Sequence, residues 1–223
     1  MSFSQYTQYI NPSSPRYTGD GTAYHGALAG TAGGSGFACA YQYLNSFFQQ
    51  YFAAMNSAQW SNGQACGQCV VARCIDPACP VQNHDVLVQI VDNCPECLEG
   101  SLDFSYPAYT ALTGSWPNRL KISWQYATSC APFISGGILY TPKAGIQSNG
   151  FWKAFFLANY KYPLSAVIYQ GTALPSSQFQ FFQMYSNIPT GPFQLTLVAI
   201  NGQQVVVTIN DVNTAQQLSV NFS

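Results

Sequence analysis

The apolar positions of this chain change their spacing partway along it. In the first half, Tyr41, Leu44, Phe48, Tyr51, Phe52 and Met55 recur at helical intervals. That spacing predicts a helix over 41–58 whose aromatic stripe packs against its neighbours. Val86-Leu87-Val88-Gln89-Ile90-Val91 is too short for a typical helix and rich in β-branched residues, so it predicts a core strand. A short helix is expected over 107–112 and a further strand over 120–126. In the second half, the runs 164–169, 178–184, 193–200 and 204–209 are separated by Gly, Pro, Ser and Asn turns, with no helix between them. Short strands at such spacing predict a β-sandwich. Asn201-Gly202 between the last two runs is a hairpin signal.

The intervening stretches divide the chain. Residues 1–15, polar with two prolines, are expected to form an extended N-terminal tail. Residues 16–36, rich in Gly, Thr and Ala, suit a loop or short strand passing close to other backbone. A first domain is expected over 16–131, a short linker over 132–137, and a second, all-β domain over 138–223. At 223 residues the chain suits one large β domain or two small ones.

Composition narrows the partner. Only 7% of the residues are charged and the net charge is −1, so nothing draws nucleic acid or an anionic membrane surface. The polar surface is left to Gln, Asn, Ser, Thr and Tyr, which suits a neutral, hydroxyl-rich ligand. No stretch reaches the ~20 apolar residues that span a bilayer. The opening residues lack the charged and apolar regions of a signal peptide, so a secreted form is expected to have lost one. The sequon Asn221-Phe222-Ser223 stands at the extreme C-terminus.

All eight cysteines lie between Cys39 and Cys130. An even count confined to one half reads as a disulfide framework made in an oxidising compartment. Cys66-x-x-Cys69 and Cys94-x-x-Cys97 also have zinc-ligand spacing. Zinc would leave four cysteines unexplained in a chain with two histidines, so neither a metal nor a cofactor is expected.

The candidate chemistry follows the core strand. Asp92 ends that run and Asp103 lies just beyond it, in Gly100-Ser101-Leu102-Asp103-Phe104-Ser105. Paired carboxylates at the mouth of a β-structure suit acid–base work on a sugar. The plainer roles are an Asp103 that caps the helix after it and an Asp92 that holds its loop through the Asn93 and Cys94 amides.

These motifs converge on a family. Gly21-Thr22-Ala23-Tyr24, Gly30-Thr31-Ala32-Gly33-Gly34, Ala65-Cys66-Gly67-Gln68-Cys69, Val91-Asp92-Asn93-Cys94-Pro95 and the Asp103 segment resemble, in that order, the first domain of expansins. Phe151-Trp152 and Asn159-Tyr160-Lys161-Tyr162-Pro163-Leu164 resemble the opening of the expansin carbohydrate-binding domain. The resemblance implies an all-β protein, a six-stranded double-psi β-barrel followed by an immunoglobulin-like sandwich. It implies the pairs Cys39–Cys66, Cys69–Cys130 and Cys74–Cys79, leaving Cys94–Cys97 to pin the loop beside Asp92. It also implies a secreted, monomeric, non-hydrolytic protein whose partners are cellulose and related wall glucans.

By the same resemblance Asp103 is the active carboxylate, with Asp92, Thr22 and Tyr24 lining its groove. Related endoglucanases carry their catalytic base where this chain has Gly26, in Thr22-Ala23-Tyr24-His25-Gly26. Asp20 lies on the other side of the threonine, and His25 reads as an exposed loop residue. Ser101-Leu102-Asp103 replaces the His-Phe-Asp of plant expansins, as in microbial members. The expected glucan platform is Phe151, Trp152 and Tyr185, with Lys161 as its motif lysine and Lys143 nearest to the flanking lysine of microbial relatives. If 151 and 152 share a regular strand, one of them faces the core. An inverting β-1,4-glucanase and a structural wall or cyst-coat protein are the alternatives.

Overall fold

The apolar run at 86–91 is the spine of β4 (Asp85–Cys94), buried from Asp85 through Val91 because strands cover both of its edges. The computed structural model describes residues 6–24, 37–41, 43–115, 118–143, 150–177 and 180–223. With β1 (Tyr17–Tyr24), β2 (Phe52–Asn56), β3 (Cys69–Cys74), β5 (Leu102–Ser105) and β6 (Leu120–Tyr126), β4 closes a barrel in the order β1-β5-β2-β4-β3-β6. β1 runs parallel to β5 and β2 parallel to β4, while the other joins are antiparallel. Leu102, Phe104, Ile122 and Trp124 fill the interior.

The helix expected over 41–58 does not form. Residues 46–50 turn, 52–56 are β2, and helix is confined to α1 (Ser57–Trp60). Tyr41, Leu44, Phe48, Phe52 and Met55 are all buried, but so are Ala53 and Ala54 between them. A strand inserted between two others and covered on both faces loses its alternation, and a short buried run then imitates helical spacing. The second helix is α2 (Tyr106–Thr113), with Pro107 in its first turn. Its N-cap is Ser105, whose Oγ accepts from the Ala108 amide, so Asp103 is released from the capping role.

Residues 6–15 pack along the barrel rather than trailing from it. Tyr6 and Tyr9 meet Phe133, Ile10 bridges to Ala127, and the Thr7 hydroxyl donates to Asp85 at 2.7 Å. Disulfides join Cys39–Cys66, Cys69–Cys130, Cys74–Cys79 and Cys94–Cys97.

The turn into β5 depends on glycine. A Cβ on Gly19 would lie 2.4 Å from the Gly100 carbonyl, and one on Gly100, at φ +85°, would lie 2.2 Å from Thr18 O. The same Gly100 carbonyl accepts from Trp124 Nε1 at 2.8 Å, and Ser101 Oγ accepts from the Asp20 amide at 3.0 Å. These contacts set the height of Asp103 relative to β1. Gly100→Ala combines a backbone clash with a left-handed φ, so it is expected to cost about 2–4 kcal/mol. Urea unfolding against wild type checks this.

The second half is a sandwich of two four-stranded sheets. One is β10-β9-β12-β13, built from β9 (Leu164–Tyr169), β10 (Thr172–Ala173), β12 (Phe193–Ala199) and β13 (Gln204–Ile209). The other is β11-β8-β7-β14, built from β7 (Leu139–Pro142), β8 (Trp152–Ala158), β11 (Phe182–Tyr185) and β14 (Gln216–Gln217). The hairpin at Asn201-Gly202 joins β12 to β13, with Gly202 at φ +83°. β11 starts later than the expected 178–184 run: Gln180, at φ +58°, turns the chain just before it. Residues 178 and 179 lie outside the described set. The architecture is therefore all-β, a six-stranded double-psi β-barrel followed by an immunoglobulin-like sandwich.

Buried contacts join the two parts. The Tyr41 and Tyr160 hydroxyls share a short hydrogen bond, both rings buried. A Cβ on Gly67 would strike both phenols. Cys130 N donates to Lys161 O at 3.1 Å, and Gln180 Nε2 to Gly63 O at 2.7 Å. Among the described residues no helix is long and apolar enough to cross a membrane.

Candidate functional site

Register brings the barrel residues together. Thr22 on β1 faces Asp103 on β5, Asp103 faces Ala54 on β2, and Ala54 faces Asp92 on β4. Neighbouring residues on β5, Leu102 and Phe104, point into the barrel, so Asp103 points out. The result is a row, Thr22–Asp103–Ala54–Asp92, laid across the outer wall with a methyl group between the carboxylates.

The two carboxylates are held differently. Asp103 accepts from the Thr22 hydroxyl at 2.5 Å. Burial lifts the Asp103 carboxyl above its ordinary range; the Thr22 bond works against this, the Glu96 and Asp92 charges add to it, and Arg119 opposes it. Asp92 Oδ1 accepts from the Ala38 amide at 2.7 Å and the Asn93 amide at 2.9 Å, and Oδ2 from the Tyr24 hydroxyl at 3.3 Å. Burial raises Asp92 as well, against those three hydrogen bonds. Tyr24 is pushed up by burial and by the Asp92 charge, so it stays a donor. Asp92 is a loop holder at the groove wall, with both oxygens already engaged. Asp20 is drawn away from the row into ion pairs with Lys121 and Arg119, the latter at 3.2 Å.

Glu96 was not singled out by its sequence position. It sits inside Cys94-Pro95-Glu96-Cys97, exposed on the loop that carries the chain from β4 over the end of β2 to β5, close enough for its charge to act on Asp103. The signal was its place between two cysteines that fold the loop back. His25, Gly26 and the 30–34 glycine-rich stretch lie outside the described residues.

On the sandwich, Phe151 precedes β8 instead of lying within it, so strand alternation does not force it inward. It is 75% exposed and Tyr185 57% exposed. Trp152, opposite Tyr185 in register, shares its face. Gln183 Oε1 accepts from Trp152 Nε1 at 3.2 Å and from the Tyr185 hydroxyl at 2.8 Å. Phe181 continues the face, edge-on to Phe156, with Lys143 Nζ 4.7 Å from its ring centroid. Lys161 is not part of this surface. It lies beyond the opposite end of β8, its amide donating to Asn221 Oδ1 at 3.0 Å and its carbonyl accepting from Cys130.

Fold and groove together define a double-psi β-barrel protein with an appended sandwich that displays an aromatic face. The family model described as "Lytic transglycolase" matches residues 52–119. Expansin-YoaJ of Bacillus subtilis (strain 168) is 29% identical over 125 residues, covering 55% of this chain and 52% of that protein. Expansin-like protein 3 of Dictyostelium discoideum is 26% identical over 170 residues, covering 73% and 48%. This chain thus spans about half the length of these two relatives. The apo expansin of Clavibacter michiganensis superposes with a TM-score of 0.73 at 21% identity, over 93% of this chain and 98% of that one. A single-site variant of that expansin, in complex with cellohexaose, gives 0.72 at 20% identity over the same shares. The chain is thus similar in sequence to expansin and expansin-like proteins and shares the two-part fold of the Clavibacter expansin.

Proposed function

We propose that this protein is a secreted wall-loosening protein that binds cellulose on its sandwich and disrupts non-covalent glucan contacts in its barrel groove, without hydrolysis. The reading divides the chain into a groove-bearing unit over 16–131 and a binding unit over 138–223, acting as a monomer. The relative whose structure holds cellohexaose supports the ligand class. Flat glucan chains expose C–H faces that stack on aromatic rings, and exposed Phe151 and Tyr185 offer such rings beside a half-buried Trp152.

One observation carries the non-hydrolytic part: register sets Asp92 two strands from Asp103, and the three hydrogen bonds its oxygens accept turn it to its own loop and to Tyr24. A base in an inverting glycosidase needs a free lone pair aimed at a water, about 6.5–9.5 Å from the acid. Asp92 stands two strand spacings from Asp103, about 10 Å at the backbone, and side chains on a convex wall diverge. Gly26 supplies no carboxylate in its place. Asp103 then serves as a half-buried acid that exchanges hydrogen bonds with sugar hydroxyls. Each exchange nets about 0.5–1.5 kcal/mol, so several groove contacts must act together to open a junction.

Amorphous cellulose incubated with the protein should release no reducing ends between pH 4 and 8, while a stretched cellulosic wall should extend. Steady release of reducing ends would establish the glucanase reading. Binding without extension would favour a structural coat.

A further inference from the structure

Gln183 occupies a position on the aromatic face that stacking alone does not explain. Trp152 Nε1 can only donate, so the Gln183 atom that meets it is the carbonyl oxygen, which fixes the amide orientation. The same oxygen accepts from the Tyr185 hydroxyl. One acceptor thus holds two rings that stand opposite each other on β8 and β11. The amide –NH2 faces the other way, and among the described residues it has no protein partner. Across the strand from Gln183 is the buried Ala154, whose carbonyl accepts from Lys143 N, so no long side chain stands opposite the amide in register. Phe181 closes the row two residues before Gln183. The half-buried amide therefore lies among the exposed Tyr185 ring and the half-buried Trp152 and Phe181 rings, within one face of the sheet.

We propose that Gln183 is a specificity-determining residue of this surface: its Oε1 fixes the rotation of Trp152 and Tyr185, and its –NH2 donates to a hydroxyl or ring oxygen of the glucan unit stacked on them. This rests on the binding surface assigned above. Hydrocarbon-faced stacking accepts any flat sugar, whereas a fixed donor rejects one whose oxygen is misplaced, because the amide then stays unpaired. The hydroxyl of Tyr185 contributes only through Gln183.

The test is a set of depletion isotherms on regenerated amorphous cellulose for folded variants of the full chain, with Trp152→Ala as reference. Gln183→Leu, which loses both functions, should weaken binding about tenfold. Gln183→Glu keeps the acceptor and loses the donors, so it should lose about fivefold at pH 7. At pH 3, where the carboxyl regains a proton, Gln183→Glu should approach wild type. Tyr185→Phe should weaken binding about twofold alone and add nothing to Gln183→Leu, a coupling that a bystander residue would not give. Wild-type affinity in Gln183→Leu, with binding weakened at least fivefold in Trp152→Ala, overturns this assignment and leaves the platform standing. Undiminished binding in Trp152→Ala overturns the platform itself, and this assignment with it.

Discussion

Asp103→Asn is expected to reduce wall extension to the level of buffer alone while leaving cellulose binding within twofold of wild type and raising the melting temperature at neutral pH. Asparagine has nearly the same shape and can still accept from Thr22 Oγ1, so the row across the barrel survives. What it lacks is a dissociable proton and a charge. The stability sign follows from the raised carboxyl. A folded-state value above the unfolded one means that the fold disfavours ionised Asp103. Wild type therefore gains stability as pH falls from neutral through the raised value, and the gain is complete below the unfolded value of about 3.9. The variant has no such gain. Its advantage is largest near pH 7 and vanishes near pH 4. Asp92 shares the raised direction in both proteins and cancels in the difference. Melting curves of the pair from pH 4 to 8 read this directly. A lower melting temperature at pH 7 would mean that ionised Asp103 supports the fold, against the burial argument.

Trp152→Ala is expected to weaken cellulose binding five- to thirtyfold and to leave the melting temperature of the barrel unchanged. Covering one face of an indole removes apolar area equivalent to about 1–2 kcal/mol. Phe151→Ala should cost less, because its ring is smaller and stands before the strand, where the chain is less constrained. The substitution also strips Gln183 of one donor, so the neighbouring Tyr185 ring loses its fixed acceptor geometry. Binding isotherms in water and in high salt separate the contributions. The loss from Trp152→Ala should be insensitive to salt, since stacking involves no charge.

Much of the architecture was legible because it follows from periodicity. The runs at 86–91, 120–126, 164–169 and 204–209 have strand length and β-branched content, and each falls within a strand. The 41–58 stretch was not legible, because double-sided burial of β2 erased the alternation that marks a strand. β8 shows a subtler failure. Read as Trp-Lys-Ala-Phe, alternation by polarity would turn lysine outward and tryptophan inward. The structure does the reverse: Lys153 is buried opposite Met184 and donates from Nζ to Asn213 Oδ1 at 2.8 Å, which frees Trp152 for the surface. A partner sixty residues away decides the face, and local pattern carries no trace of it. The groove shows the same limit. Asp92 and Asp103 were visible as candidates, but Ala54 between them and the three donors on Asp92 are products of register. Lys161 illustrates the opposite error. Motif position grouped it with the rings, while eight residues, most of them in β8, separate it from Trp152.

The Tyr41–Tyr160 contact beneath Gly67 ties barrel to sandwich through buried side chains. A flexible tether would let one part stay bound while the other drifts, and thermal rotation would blur any pull between them. With the phenols interlocked, a load on one part reaches the other through a buried contact. Such a joint suits a molecule built less like two hands on a rope than like a single wedge.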